Sequence, residues 1–165
     1  MSETSHLLLV YESAAEVQSR DIADLHDYWR AKRAGRAMPQ PGDIDPADLP
    51  DLQPSMITAE YSSAPFRVRY RQAGATQVHY SGEDISGHFL DELNWSEKEL
   101  VAQVHERVCR TRAPVFGRYQ WDFRDGLPGF SEFGIFPLSA DGTHVTQGVS
   151  LDDYSFFEQQ LGRAR

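Results

Sequence analysis

Apolar residues recur at helical spacing early in the chain. Val17, Ile22, Leu25, Tyr28 and Trp29 fall on one side of a 3.6-residue repeat, after Ser13-Ala-Ala-Glu16 with the spacing of a capping box. The pattern predicts a first helix opening at Ser13 and ending near Gly35, with Lys32, Arg33 and Arg36 at the negative end of its dipole. Residues 38–54 are rich in proline beside apolar positions and read as a structured connector, in which Asp45 caps a short turn with Pro46 at its first position. The period then changes to two. A strand is predicted over 56–61, a turn over 62–65, and a strand over 66–71 that puts Arg67, Arg69 and Arg71 on one face.

Gly74, Gly82 and Gly87 mark a stretch of turns and short helices. Ser96-Glu-Lys-Glu99 is a second capping box, opening a helix through Leu100, Val101, Val104 and Val108 that ends near Arg112, before Pro114. Three strands follow. Residues 115–123 alternate, with Val115, Tyr119, Trp121 and Phe123 on one face; Asp125-Gly126 turns the chain toward 130–138; Asp141-Gly142 is a hairpin signal before a last strand over 144–151. Tyr154, Phe157 and Leu161 share a side of a possible helical tail. The order predicts an α+β fold: a five-stranded antiparallel sheet with helices on one face and an N-terminal flanking helix. The expected divisions are 1–37 for that helix, 38–152 for the main domain and 153–165 for the tail.

At 165 residues, with 40% hydrophobic and 25% charged positions, the chain fits one globular domain. Its 16 basic and 25 acidic residues leave a net charge of −9, which disfavours nucleic acid and anionic lipid as partners. The single cysteine, Cys109, fits a reducing, cytoplasmic location, and the early run Leu7-Leu8-Leu9-Val10 is too short to span a membrane.

Several segments carry a resemblance. Leu25-His-Asp-Tyr28-Trp29-Arg30, Arg33-Ala-Gly35-Arg36-Ala-Met38-Pro39 and Asp43-Ile-Asp45-Pro46 are similar to the opening of a bacterial PAS-like family. Phe66-Arg-Val-Arg-Tyr70-Arg71, the segment from Gly82 to Leu93, and Ile135-Phe-Pro137-Leu138 with Asp141-Gly142 resemble its later blocks. Two departures affect local turns: Pro39-Gln-Pro41-Gly42 replaces a basic residue before Asp-Ile-Asp-Pro, and Gly74-Ala75-Thr76 replaces Gly-Thr. The resemblance implies a PAS fold in a sensory or interaction module, with no assigned catalytic residues.

No phosphate loop, nucleophile elbow, His-Glu-x-x-His or paired-cysteine zinc motif occurs, and the carboxylates are scattered. The chain is therefore read as a non-enzyme. The candidate ligand-binding residues are Tyr80, Phe89, Trp95, His105, Tyr119, Trp121 and Phe133, with Phe136 nearby; aromatic groups of this kind either line a pocket or simply fill a core. His105 sits at the edge of the Leu100–Val101–Val104–Val108 stripe, where a partly exposed histidine is the plainer reading. A haem ligand is the sharper one, with Arg107, Arg110 or Arg112 available to propionates. The expectation favours an apolar or weakly polar small ligand over haem, and the cofactor, if any, stays unknown. Cys109 lies between Arg107 and Arg110, which would lower its pKa if they faced it; a buried inert thiol is the alternative. The arginine stripe reads as an ion-paired surface, with Asp122 and Glu132 as possible partners, or as a dock for an acidic protein. The apolar face of the first helix suggests a homodimer formed through it. A filled-core scaffold and a small hydrolase remain as rival readings.

Overall fold

A computed structural model describes residues 8–95, 97–122 and 128–156, the side chains of 120–122, 128 and 129 excepted. Six antiparallel strands form one sheet: β1 (Leu8–Val10), β2 (Met56–Ser62), β3 (Arg67–Ala73), β4 (Val115–Asp122), β5 (Pro128–Leu138) and β6 (Gln147–Asp153). Their spatial order is β1-β4-β5-β6-β2-β3. The helices are α1 (Arg20–Lys32), α2 (Ala75–Ser81) and α3 (Lys98–Thr111). The sequence predicts five strands; the sixth is β1, a three-residue edge strand paired with Gly117–Tyr119, too short to show an alternating pattern.

Helices cover both faces of the sheet, where the sequence predicts one covered face. On β5, Phe133 and Ile135 point to an inner side, packed with Val104 and Val108 of α3. Phe136 and Leu138 point to the outer side and pack with Ile22, Leu25 and Trp29 of α1. This split is the period-two pleat read across one strand. The same division runs through β6, where Val149 and Leu151 belong to the outer cluster.

The first helix starts later than expected. The Ser13–Glu16 capping box forms, but it closes a separate turn, Ala14–Glu16, and the chain is extended again at Val17. Ser19 is the true N-cap and accepts from the Ile22 amide at 3.2 Å. A buried carboxylate decides this: Glu132 takes the amides of Gln18 (3.0 Å) and Ser19 (2.7 Å) and the Tyr11 hydroxyl (2.7 Å). Local capping alone cannot reveal a partner over 110 residues away.

The apolar face of α1, offered by the sequence to a second chain, is folded onto its own sheet. Ile22, Leu25 and Trp29 are buried, and Trp29 Nε1 donates to the Pro137 carbonyl at 2.9 Å. Gly134 permits the approach, since a Cβ there would stand 2.9 Å from Ile22 Cγ2. The neighbouring Tyr28 hydroxyl donates to Asp48 at 2.8 Å and accepts the Asp45 amide at 3.0 Å, while Arg36 pairs with Asp43 at 2.6 Å. Asp45 caps the turn Pro46–Asp48, accepting from the Ala47 amide at 2.9 Å. The Asp-Ile-Asp-Pro segment thus ties the connector to α1.

The arginine stripe is ion-paired through other partners than those expected. Arg67 meets Asp91 at 2.7 Å, and Arg69 and Arg71 both meet Glu60, at 3.4 and 3.2 Å. Glu132 is engaged by the N-terminal segment, and the Asp122 side chain lies outside the described residues. The last strand begins at Gln147 rather than 144, because Asp141 accepts the amides of Thr143 and His144 and holds that stretch as a turn. The Ser96 cap, the Asp125-Gly126 turn and tail positions Phe157 and Leu161 also lie outside the described residues.

Candidate functional site

The inner side of the sheet, under α2 and α3, buries polar groups among its apolar side chains, His105 and Asp152 among them. His105 is 3% exposed, not partly exposed as its place on the stripe suggested. It shares the face of Val101, four residues before it, and Val108, three after it. That spacing was present in the sequence and identifies a face wider than a single stripe. The His105 Nδ1 and the Tyr61 hydroxyl lie 2.7 Å apart. Burial pushes the imidazole pKa down to about 4 and the Tyr61 phenol well above its ordinary value. Both groups are therefore neutral at pH 7, and the bond between them runs from the phenol to Nδ1 in one imidazole tautomer and from Nδ1 to the phenol oxygen in the other.

A second polar pair lies beside Phe133. The Tyr119 hydroxyl donates to Asp152 Oδ1 at 2.9 Å, reaching across β5 to β6. Asp152 is 6% exposed, and burial raises its pKa to about 6, against the opposing pull of the Tyr119 hydrogen bond. Tyr119 stacks on Phe133 with centroids 4.7 Å apart. Tyr154, one residue past β6, stacks on Tyr80 of α2 at 4.3 Å. Gln77, on the same face of α2 as Tyr80, is buried and its Oε1 has no hydrogen-bond partner. Tyr70 of β3 completes the group, its ring 6.1 Å from Trp95 and 6.3 Å from His105.

Five of the sequence candidates meet on this side: Tyr80, Trp95, His105, Tyr119 and Phe133. Phe89 does not. It lies under the Arg67 guanidinium, 3.7 Å from the ring centroid, at the outer edge of β3. Phe136 belongs to the outer cluster, and the Trp121 side chain lies outside the described residues. Asp152, Tyr154, Tyr70, Tyr61 and Gln77 escaped the sequence reading. For Asp152 the signal was there: once Val149 and Leu151 face outward, Ser150 and Asp152 must face inward.

Cys109 is half-buried, and burial, with Glu106 nearby, pushes its thiol up to about 12. This overturns an activating effect of Arg107 and Arg110 and agrees with an inert thiol. Arg107, Arg110 and Arg112, considered for haem propionates, are all exposed. Two grooves of about 270 and 370 Å3 lie elsewhere, on the outer side of β2 and β3, sharing Pro46, Thr58 and Gln72. No sequence candidate lines either of them.

A family profile described as PAS domain matches residues 17–147, most of the chain. The chain belongs to the PAS family. Among curated proteins none matches. Solved structures with a similar course include a light-oxygen-voltage domain studied with a flavin analogue, at 12% identity and TM-score 0.48, covering 72% of this chain and 94% of that one. The VqmA–ligand–DNA complex of Vibrio cholera gives 12% identity and TM-score 0.51, covering 75% of this chain and 59% of that one. An RNA-binding light-oxygen-voltage receptor gives 18% identity and TM-score 0.47, covering 76% and 39%. This PAS domain thus spans less than two thirds of the latter two chains, and likeness at such identity speaks for the fold alone. Among the described residues no helix is long and apolar enough to cross a membrane.

Proposed function

We propose that this PAS domain is a non-catalytic sensor, a cytoplasmic bacterial regulator that holds a small ligand on the inner side of its sheet and acts through protein contacts. Residues 38–152 form the sensing core in this reading, and α1 is the flanking helix that responds to it. The observation that carries it is the inner polar group: Asp152 with Tyr119, His105 with Tyr61, and the unpartnered Gln77 Oε1. Burying polar atoms costs free energy, and a core with no other task would use apolar side chains there.

The sheet supplies a short route outward. Asp152 faces inward, while its neighbour Asp153 accepts from the Ser19 hydroxyl at the start of α1. On the adjacent strand Phe133 pairs with Asp152, and Glu132, paired with Asp153, holds the same helix start. A ligand that shifts Asp152 therefore acts one residue from the α1 clamp.

Native mass spectrometry of the purified protein tests this reading. A retained small molecule, released on denaturation, is expected. An empty protein whose stability responds to no metabolite pool would instead favour a filled-core scaffold.

A further inference from the structure

We infer that the outer face of β2 and β3 carries a second binding site, a trough walled by the proline-rich connector that takes a small amphipathic monocarboxylate. Arg71 receives the acid group, and Pro50, Pro54 and Met56 receive the apolar body. The site goes beyond the inner-side reading above and does not rest on it.

The shape comes first. The two grooves on this face, of about 370 and 270 Å3, share Pro46, Thr58 and Gln72 and so form one trough of small-ligand size. The larger groove adds Arg71 and Gln147, and the smaller adds Pro50, Pro54 and Met56. One end is thus cationic and amide-lined, and the other is apolar. An occupant that matches both ends is amphipathic.

Charge fixes the sign of its polar end. The chain carries a net −9, yet among the described residues no acidic side chain lines either groove. The carboxylates of the connector are engaged elsewhere: Asp43 pairs with Arg36 at 2.6 Å, Asp48 accepts from the Tyr28 hydroxyl at 2.8 Å, and Asp45 caps its own turn. Arg71 and Arg69 share one carboxylate, Glu60, at 3.2 and 3.4 Å, so the three groups together keep one positive charge. The other partner of Arg71 is neutral, Gln147 Oε1 at 3.3 Å. A guanidinium presents five N–H donors in a planar fork that matches a carboxylate. One surplus charge among neutral amides suits a monoanion, whereas a phosphate dianion would call for further cations. A cationic occupant would face Arg71 with no acid lining the trough.

Calorimetric titration of the full chain tests the class with three probes of one shape: 4-phenylbutanoate, 4-phenylbutan-1-ol and 4-phenylbutylammonium. The acid is expected to bind roughly tenfold more tightly than the other two. Arg71→Gln should erase that preference. Glu60→Gln, which removes the competing carboxylate, should tighten the acid several-fold and leave the alcohol unchanged. Both positions are on the sheet surface, and unchanged circular dichroism checks that each variant is folded. Amide resonances of Thr58, Gln72 and Gln147 should shift together as the acid is added. Equal or tighter binding of the alcohol or the ammonium overturns the proposal, as does acid binding that neither substitution alters. Shifts confined to Tyr119 and Asp152 would put the acid on the inner side, overturning the outer site and leaving the inner-side reading standing. Absence of binding by the acid into the millimolar range overturns the outer site alone.

Discussion

Gly148 lies beneath the Tyr61 hydroxyl, so close that a Cβ at position 148 would stand 2.3 Å from the phenol oxygen and 3.0 Å from the ring carbon that bears it. The missing side chain on β6 is what lets Tyr61 lie flat across the sheet and reach His105 at 2.7 Å. Gly148→Ala should swing the ring away, strand a buried imidazole nitrogen and cost about 1–3 kcal/mol. Tyr61→Phe removes the atom that would clash. The alanine should therefore cost clearly less in the Tyr61→Phe background, and a double-mutant cycle by urea denaturation reads that coupling. Strictly additive losses would mean that Gly148 and Tyr61 act independently.

Asp152 and His105 should pull the pH dependence of stability in opposite directions. The folded pKa of Asp152, about 6, lies above its ordinary value of 3.8, so the proton favours the fold. That contribution is complete below pH 3.8 and lost as pH rises through about 6. The charged form at pH 7.5 costs about 3 kcal/mol relative to the protonated one. Asp152→Asn should stabilise the ligand-free protein at pH 7.5, with the gain fading toward pH 4. His105 runs the other way: about 4 when folded against an ordinary 6.5, its contribution is complete above pH 6.5 and lost as pH falls through about 4. His105→Gln should flatten that acid limb. Thermal melts across pH 4–8 check both, and a pH-independent difference for Asp152→Asn would contradict the burial argument.

Glu132 gathers the Tyr11 hydroxyl and the amides of Gln18 and Ser19 on one buried carboxyl. Glu132→Ala leaves those donors without a partner and should cost roughly 3 kcal/mol or more. The loss should be local before it is global. Amide exchange in the first turn of α1 should quicken well before exchange in α3. Equal acceleration in both helices would show that Glu132 holds the whole core and not the helix start.

The elements with long periodic patterns were legible in the sequence: α1, α3, the strand pair β2–β3 and the course of β4 to β6. The misplacements share a cause. The Ser13 box was a real cap, but which helix it served depended on Glu132, far away in sequence. Asp141 delayed β6 through side-chain bonds to the two amides that would have opened it. At the site, aromatic residues were easy to nominate because they are rare and large. The buried polar residues Asp152 and Gln77 looked like ordinary surface residues. Phe89 was nominated on the same grounds as Tyr119, and only the arginine across β3 shows that it belongs to the surface.

Removing residues 1–37 should not leave a soluble core, contrary to what a detachable flanking helix would allow. The outer sheet face carries Met56, Phe116, Phe136, Val149 and Leu151, all buried in one cluster with Ile22, Leu25 and Trp29. Stripping α1 exposes that cluster to water, and a contiguous apolar face of this kind drives aggregation. A milder variant separates docking from wholesale exposure. Trp29→Ala deletes the anchor ring and its bond to the Pro137 carbonyl, which should cost about 3–5 kcal/mol. For a chain this long that loss lowers Tm by on the order of 10 °C. Light scattering and dye binding should then report a truncated chain that self-associates, and a full-length Trp29→Ala variant that stays folded but melts early. A truncated chain that remains monomeric, with its outer face silent to the dye, would show that the sheet holds together without α1.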